Sequence, residues 1–99
     1  MDAVLNQIEG SAIFGMSIAL HSKITAKDGR IEQSNFHDYV LTRIDELPEI
    51  KVTVVDSEAA PAGVGEPGVP PIAPAIINAI ADATGVYHRD LPLADHGLV

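Results

Sequence analysis

Gly63-Val64-Gly65-Glu66-Pro67-Gly68-Val69-Pro70-Pro71-Ile72-Ala73-Pro74-Ala75-Ile76-Ile77-Asn78-Ala79 is the stretch around which this chain is built. One carboxylate, Glu66, stands among glycines and prolines just ahead of an apolar run. Glycine admits positive φ and lets backbone lie close to another body. Proline fixes φ and removes an amide donor. The residue before a proline is pushed toward extended geometry, so Glu66 is expected on a stiff, extended loop. A rigidly aimed carboxylate is what a general base needs. The alternative role for Glu66 is a solvated turn acid favoured by the positive end of the following helix.

Downstream, Ile76, Ile77, Ala79, Ile80 and Ala83 give one apolar stripe, which predicts a helix from Ile72 or Pro74 to Thr84. Pro74 suits a first turn, and Gly85 a left-handed stop. Val86–Arg89 is expected as a short closing strand and Leu91–Val99 as a tail. Upstream, Ser57–Gly65 is a loop of small residues, and Glu49–Asp56 has the clearest strand pattern. Ile50, Val52 and Val54 alternate there with Lys51, Thr53 and Val55. Asp28-Gly29 between two extended runs signals a hairpin. Phe36–Leu41 is expected either to continue as strand or to bend away, with a turn at Asp45–Pro48. Asp2–Leu20 predicts a helix, capped by Asp2, whose apolar residues spread nearly all round; such a helix is covered on several sides. Gly10, Ser11 and Gly15 lower its propensity, and close approach of another element is the usual reason.

This order implies an α+β fold: two helices packed on a small, mainly antiparallel sheet, within a single domain over residues 1–99. With 99 residues there is room for one domain at most. The formal net charge of −8 argues against nucleic acid and against an anionic membrane surface. The chain has no cysteine, which excludes disulfides, thiolate chemistry and iron–sulfur ligation by its own residues. Ser11, Ser17 and the glycines interrupt the longest apolar run, so no membrane span is expected. No signal segment is visible, and cytoplasmic and periplasmic placement both stay open.

Four segments together carry a resemblance. They are Gln7-Ile8-Glu9-Gly10, the run from Gly29 to Tyr39, Leu47-Pro48-Glu49-Ile50, and Gly63 to Ala75. With these, the chain resembles the C-terminal part of the molybdopterin-binding large subunit of the xanthine dehydrogenase/aldehyde oxidase family, the molybdenum hydroxylases. Within that family it looks most like the isoquinoline 1-oxidoreductase beta-subunit branch. The resemblance implies that Glu66 is the catalytic base. It would take a proton from water-derived oxygen during hydroxylation of an aldehyde or an N-heterocycle. It further implies that Gln7, Gly63, Val64 and Gly65 lie along the molybdopterin, while no residue of this chain ligates the metal. Gly68 is expected, like Gly65, to let the loop lie against the cofactor. The family subunit is several times longer. The implied partners are therefore the remainder of that subunit and an iron–sulfur subunit, and the chain alone is expected neither to turn over substrate nor to hold the pterin tightly. The competing expectation is a small α+β domain without catalytic activity that forms a homo-oligomer through its apolar first helix.

Other patterns carry less. Gly63, Gly65 and Gly68 spell G-x-G-x-x-G, but the surrounding prolines delete donors a pyrophosphate would need. His88-Arg89-Asp90 matches a kinase tripeptide by chance. Ser34, His37 and Asp38 can be drawn as a triad. On a strand their side chains would alternate between faces, so Asn35 and Asp38 are expected to bond local backbone instead. His21, His37, His88 and His96 have no metal-ligand spacing. Asp45, Glu46, Glu49, Asp56 and Glu58 form a solvated acidic face.

Overall fold

A computed structural model describes residues 1–99. Helix α1 spans Asp2–Leu20 and helix α2 spans Ile72–Thr84, the bounds their apolar periodicity predicts. Met1 caps α1, so Asp2 sits in the first turn, where its charge favours the helix end. Helix α2 ends on Gly85 in the left-handed region at φ 76°, as a C-terminal glycine should. Strands β1 (Ala26–Lys27) and β2 (Arg30–Ile31) pair antiparallel, Ala26 opposite Ile31. Asp28 and Gly29 both take positive φ between them, which is the turn an Asp-Gly pair selects. Short 3-10 turns run over Ile44–Glu46 and Leu93–His96.

The architecture is α+β, with two helices and one small antiparallel sheet. Several expected strands do not form. Phe36–Leu41 bends, because Asp38 and Tyr39 donate backward to the Asn35 carbonyl. Val86–Arg89 and Glu49–Asp56 have no ladder partner. A strand exists only where a neighbouring strand supplies hydrogen bonds, and these segments have none within the chain. The helices pack on one another, and the hairpin packs on neither. The C-terminal segment is not a loose tail: Leu93 has 0% exposure and packs at the α1 end of the molecule.

Packing between α1 and α2 explains the small residues of α1. A Cβ at Gly15 would lie 2.6 Å from Ile72 Cβ and 2.9 Å from the Val69 carbonyl oxygen. Ser11, Gly15, Ser17 and Ala19 are the buried residues of the helix. Ser17 also accepts a hydrogen bond from the Thr42 amide at 2.9 Å. Gly10 differs, since a Cβ there would meet nothing within 4 Å. One correction concerns hydropathy. The 19 residues of α1, at mean hydropathy 1.2, are long and apolar enough to cross a membrane. The interrupting serines and glycines do not offset a helix whose only charged side chains are Asp2 and Glu9.

Candidate functional site

The proline–glycine loop is held by its downstream half. Gly68 lies directly on α1: a Cβ there would overlap the Ser11 hydroxyl and come within 3.8 Å of Ile8 Cδ1. Ser11 and Gly15 are four residues apart and therefore on one face of α1. Gly68 docks at the first and Val69 and Ile72 at the second, giving a two-point clamp. The Ser11 hydroxyl donates to the Ile8 carbonyl at 2.9 Å, which fixes its rotamer under the loop. Within the loop, Val69 N donates to the Glu66 carbonyl at 3.1 Å and Ile72 N to the Val69 carbonyl at 3.3 Å. These successive turns lead into α2 with Pro71 as its N-cap.

Glu66 therefore sits two residues ahead of a fixed point, with its main chain held and its side chain exposed. With Gly63, Gly65, Pro67 and Pro70 it lines an open concavity of about 540 Å³. A Cβ at Gly63 or Gly65 would meet nothing within 4 Å, so their backbone edges stay accessible to another body. Gly68 does not share this property: the space its Cβ would take is filled by Ser11 of α1. Val64 is half-buried. Gln7 is exposed on α1, beside Ile8 and one turn before Ser11, so the helix segment bearing it is the one the loop crosses.

The other constellations resolve simply. Asp38 accepts from the Asn35 amide at 2.9 Å and from the Ser34 amide at 2.9 Å, which together hold its carboxyl below the usual aspartate range. Ser34 Oγ also reaches Asp38 at 3.1 Å, and His37 stands 3.5 Å from it. A turn, not a strand, brings the three together, and the acid lies between the hydroxyl and the imidazole. A nucleophilic triad needs the imidazole in the middle. Glu46 is lowered by the Arg43 amide and then by His21, whose Nε2 is 2.8 Å away, tying the end of α1 to the 3-10 turn. His88 and His96 rings stand 4.8 Å apart, a pairing that no sequence spacing announced. No three His, Cys, Asp or Glu side chains gather in a metal-binding group.

A further feature has no counterpart in the sequence pattern. A groove of about 440 Å³ runs between Ala12 and Met16 of α1, Ile72 and Ile76 of α2, and the residues around Ile50. Its lining is mostly apolar.

No family model matches the chain. Among curated proteins, it is 44% identical over 92 residues to isoquinoline 1-oxidoreductase subunit beta of Brevundimonas diminuta, covering 93% of this chain and 12% of that protein. It is 36% identical over 92 residues to a membrane-bound aldehyde dehydrogenase (pyrroloquinoline-quinone) of Gluconacetobacter polyoxogenes, again 93% of this chain and 12% of the other. It is 34% identical over 94 residues to a xanthine dehydrogenase molybdenum-binding subunit of Escherichia coli O157:H7, covering 88% of this chain and 12% of that subunit. Across nearly its whole length the chain is thus homologous to a fragment of the molybdenum hydroxylases, the xanthine dehydrogenase/aldehyde oxidase family. It spans about 12% of the length of these relatives.

Proposed function

We propose that this chain is the C-terminal segment of a molybdenum hydroxylase large subunit and supplies its catalytic base, Glu66. The reaction class is hydroxylation of an aldehyde or an N-heterocycle with oxygen from water. One observation carries the reading: Glu66 is solvent-facing beside a concavity, on a loop clamped to α1 through Gly68 and Ile72. Clamping lowers the entropic cost of aiming a base at a reacting atom.

The exposed backbone edges of Gly63 and Gly65 fit one wall of a flat cofactor site, with Val64 between them and Gln7 on the helix beneath. Pro67, Pro70, Pro71 and Pro74 leave few amide donors here, so anionic parts of a pterin must be held by other polypeptide. When bound, a molybdenum cofactor supplies the two-electron sink and acidifies the oxygen donor. The part of this chain is proton transfer: a Glu66 carboxylate oxygen accepts the proton released as the carbon–oxygen bond forms. Closure of the concavity by the remainder of the subunit would exclude water around that carboxylate. An iron–sulfur subunit would carry the electrons away.

The test is reconstitution. The Brevundimonas subunit lacking its matching 92 residues, co-expressed with its iron–sulfur partner, is expected to oxidise substrate only when this chain is added. The purified chain alone is expected to hold no stoichiometric molybdenum. Stoichiometric metal on the free chain, or full activity without it, overturns the reading. A second reading, self-assembly without catalysis, is favoured by exposed apolar residues on α1 such as Phe14, which is 54% exposed. A stable, closed oligomer in sedimentation, indifferent to the upstream polypeptide, would select it.

A further inference from the structure

The segment from Pro48 to Gly65 makes no main-chain hydrogen bond to any other main-chain group. A solvated loop of that length is ordinary when its sequence is polar and irregular. Glu49–Asp56 is neither. It has the strongest strand alternation in the chain, and the structure keeps that alternation through Thr53, after which Val54 and Val55 are both exposed. Ile50 and Val52 are half-buried, while Lys51 and Thr53 face out, and Val55 is 81% exposed. The segment has the sequence of a strand, and its main-chain donors and acceptors are unused by other main-chain groups. Pro48 to Lys51 form one wall of the apolar groove between α1 and α2. A strand laid alongside would satisfy the ladder and place alternate side chains over that groove in a single act.

We infer that Glu49–Asp56 is a docking strand, completed by a β-strand from the remaining polypeptide of the molybdenum-binding subunit. This inference rests on the fragment reading above. Two observations favour that occupant over a second copy, and a third gives the scale of the interface. About 88% of the length of the Brevundimonas relative lies outside the segment this chain matches. The exposed surface, 7454 Å², exceeds the roughly 5,400 Å² expected of a closed monomer of this mass. That excess, near ~2,000 Å², is the scale of a permanent interface. Two copies at −8 each would also repel one another through their net charge.

Hydrogen–deuterium exchange on the chain, alone and co-expressed with the Brevundimonas subunit lacking its matching 92 residues, tests the inference. Amides from Lys51 to Val55 are expected to exchange freely in the lone chain and to slow by at least 100-fold in the complex. Thr53→Pro and Val54→Pro remove adjacent donors on opposite strand edges, and neither amide bonds within the chain. The helical circular dichroism of the lone chain should therefore persist in both, while at least one loses complex formation by tenfold or more. A complex in which these amides still exchange freely overturns the docking strand and leaves the fragment reading standing. Equal, concentration-dependent protection in the lone chain overturns it in favour of a second copy. Absence of any complex overturns both this inference and the fragment reading.

Discussion

Gly63 and Gly68 stand five residues apart in one loop and meet opposite surroundings. A Cβ is free at Gly63 and blocked by Ser11 at Gly68. Gly68→Ala should cost about 1–3 kcal/mol, the range for overpacking a tight contact, in urea melts followed by helical circular dichroism. Ser11→Gly in the same chain should recover part of that loss. Gly10→Ala, which meets nothing, should instead stabilise by about 0.5–1 kcal/mol. Asp38 allows a pH test. Amides of Asn35 and Ser34 lower its folded pKa, so the stability it contributes is present above the unfolded aspartate value of about 3.9 and is lost as pH falls through the lower folded value. NMR titration should find the Asp38 carboxyl still ionised below that value, with the Ser34–Tyr39 turn loosening only as it protonates. Asp38→Asn should abolish this acid step. At this scale the sequence told much: Ser11 and Gly15 signalled a close approach. It did not tell which body approaches: the residue packed on Ser11 is Gly68, which no local pattern indicates.

Helices were legible to within a residue or two, because periodicity, Pro74 and Gly85 all encode local preferences. The hairpin turn was legible for the same reason. Gly29, at φ 75°, should not tolerate a β-branched residue. Gly29→Val should weaken the hairpin by about 1–2 kcal/mol, read as loss of the cross-strand contact between Ala26 and Ile31 by NMR. Strands were less legible. Glu49–Asp56 has the pattern of a strand, but a ladder needs a second strand, and no local signal says whether the chain contains it. Phe36–Leu41 bent where Asn35 and Asp38 captured the backbone, a competition that short polar side chains commonly win. Leu93 escaped detection because its burial depends on the distant end of α1.

Taken whole, the molecule is open. Its Cα radius of gyration is 16.0 Å, against about 13 Å for a compact chain of this length. It makes 44 backbone–backbone hydrogen bonds, where about 65–70 are expected. Large apolar side chains stay outside, Ile44 at 88% exposure among them. The lone chain should therefore bind a hydrophobic dye and lose that signal on complex formation. The candidate site follows the same logic: the carboxylate and loop proposed as base and wall were readable from residues 63–68, and within this chain the concavity beside them stays open. Turnover per molybdenum in the reconstituted enzyme, compared between wild type and Glu66→Gln, is the most direct measurement. A fall of at least ~100-fold at unchanged molybdenum content is the expected result, and equal turnover would contradict the role assigned to Glu66.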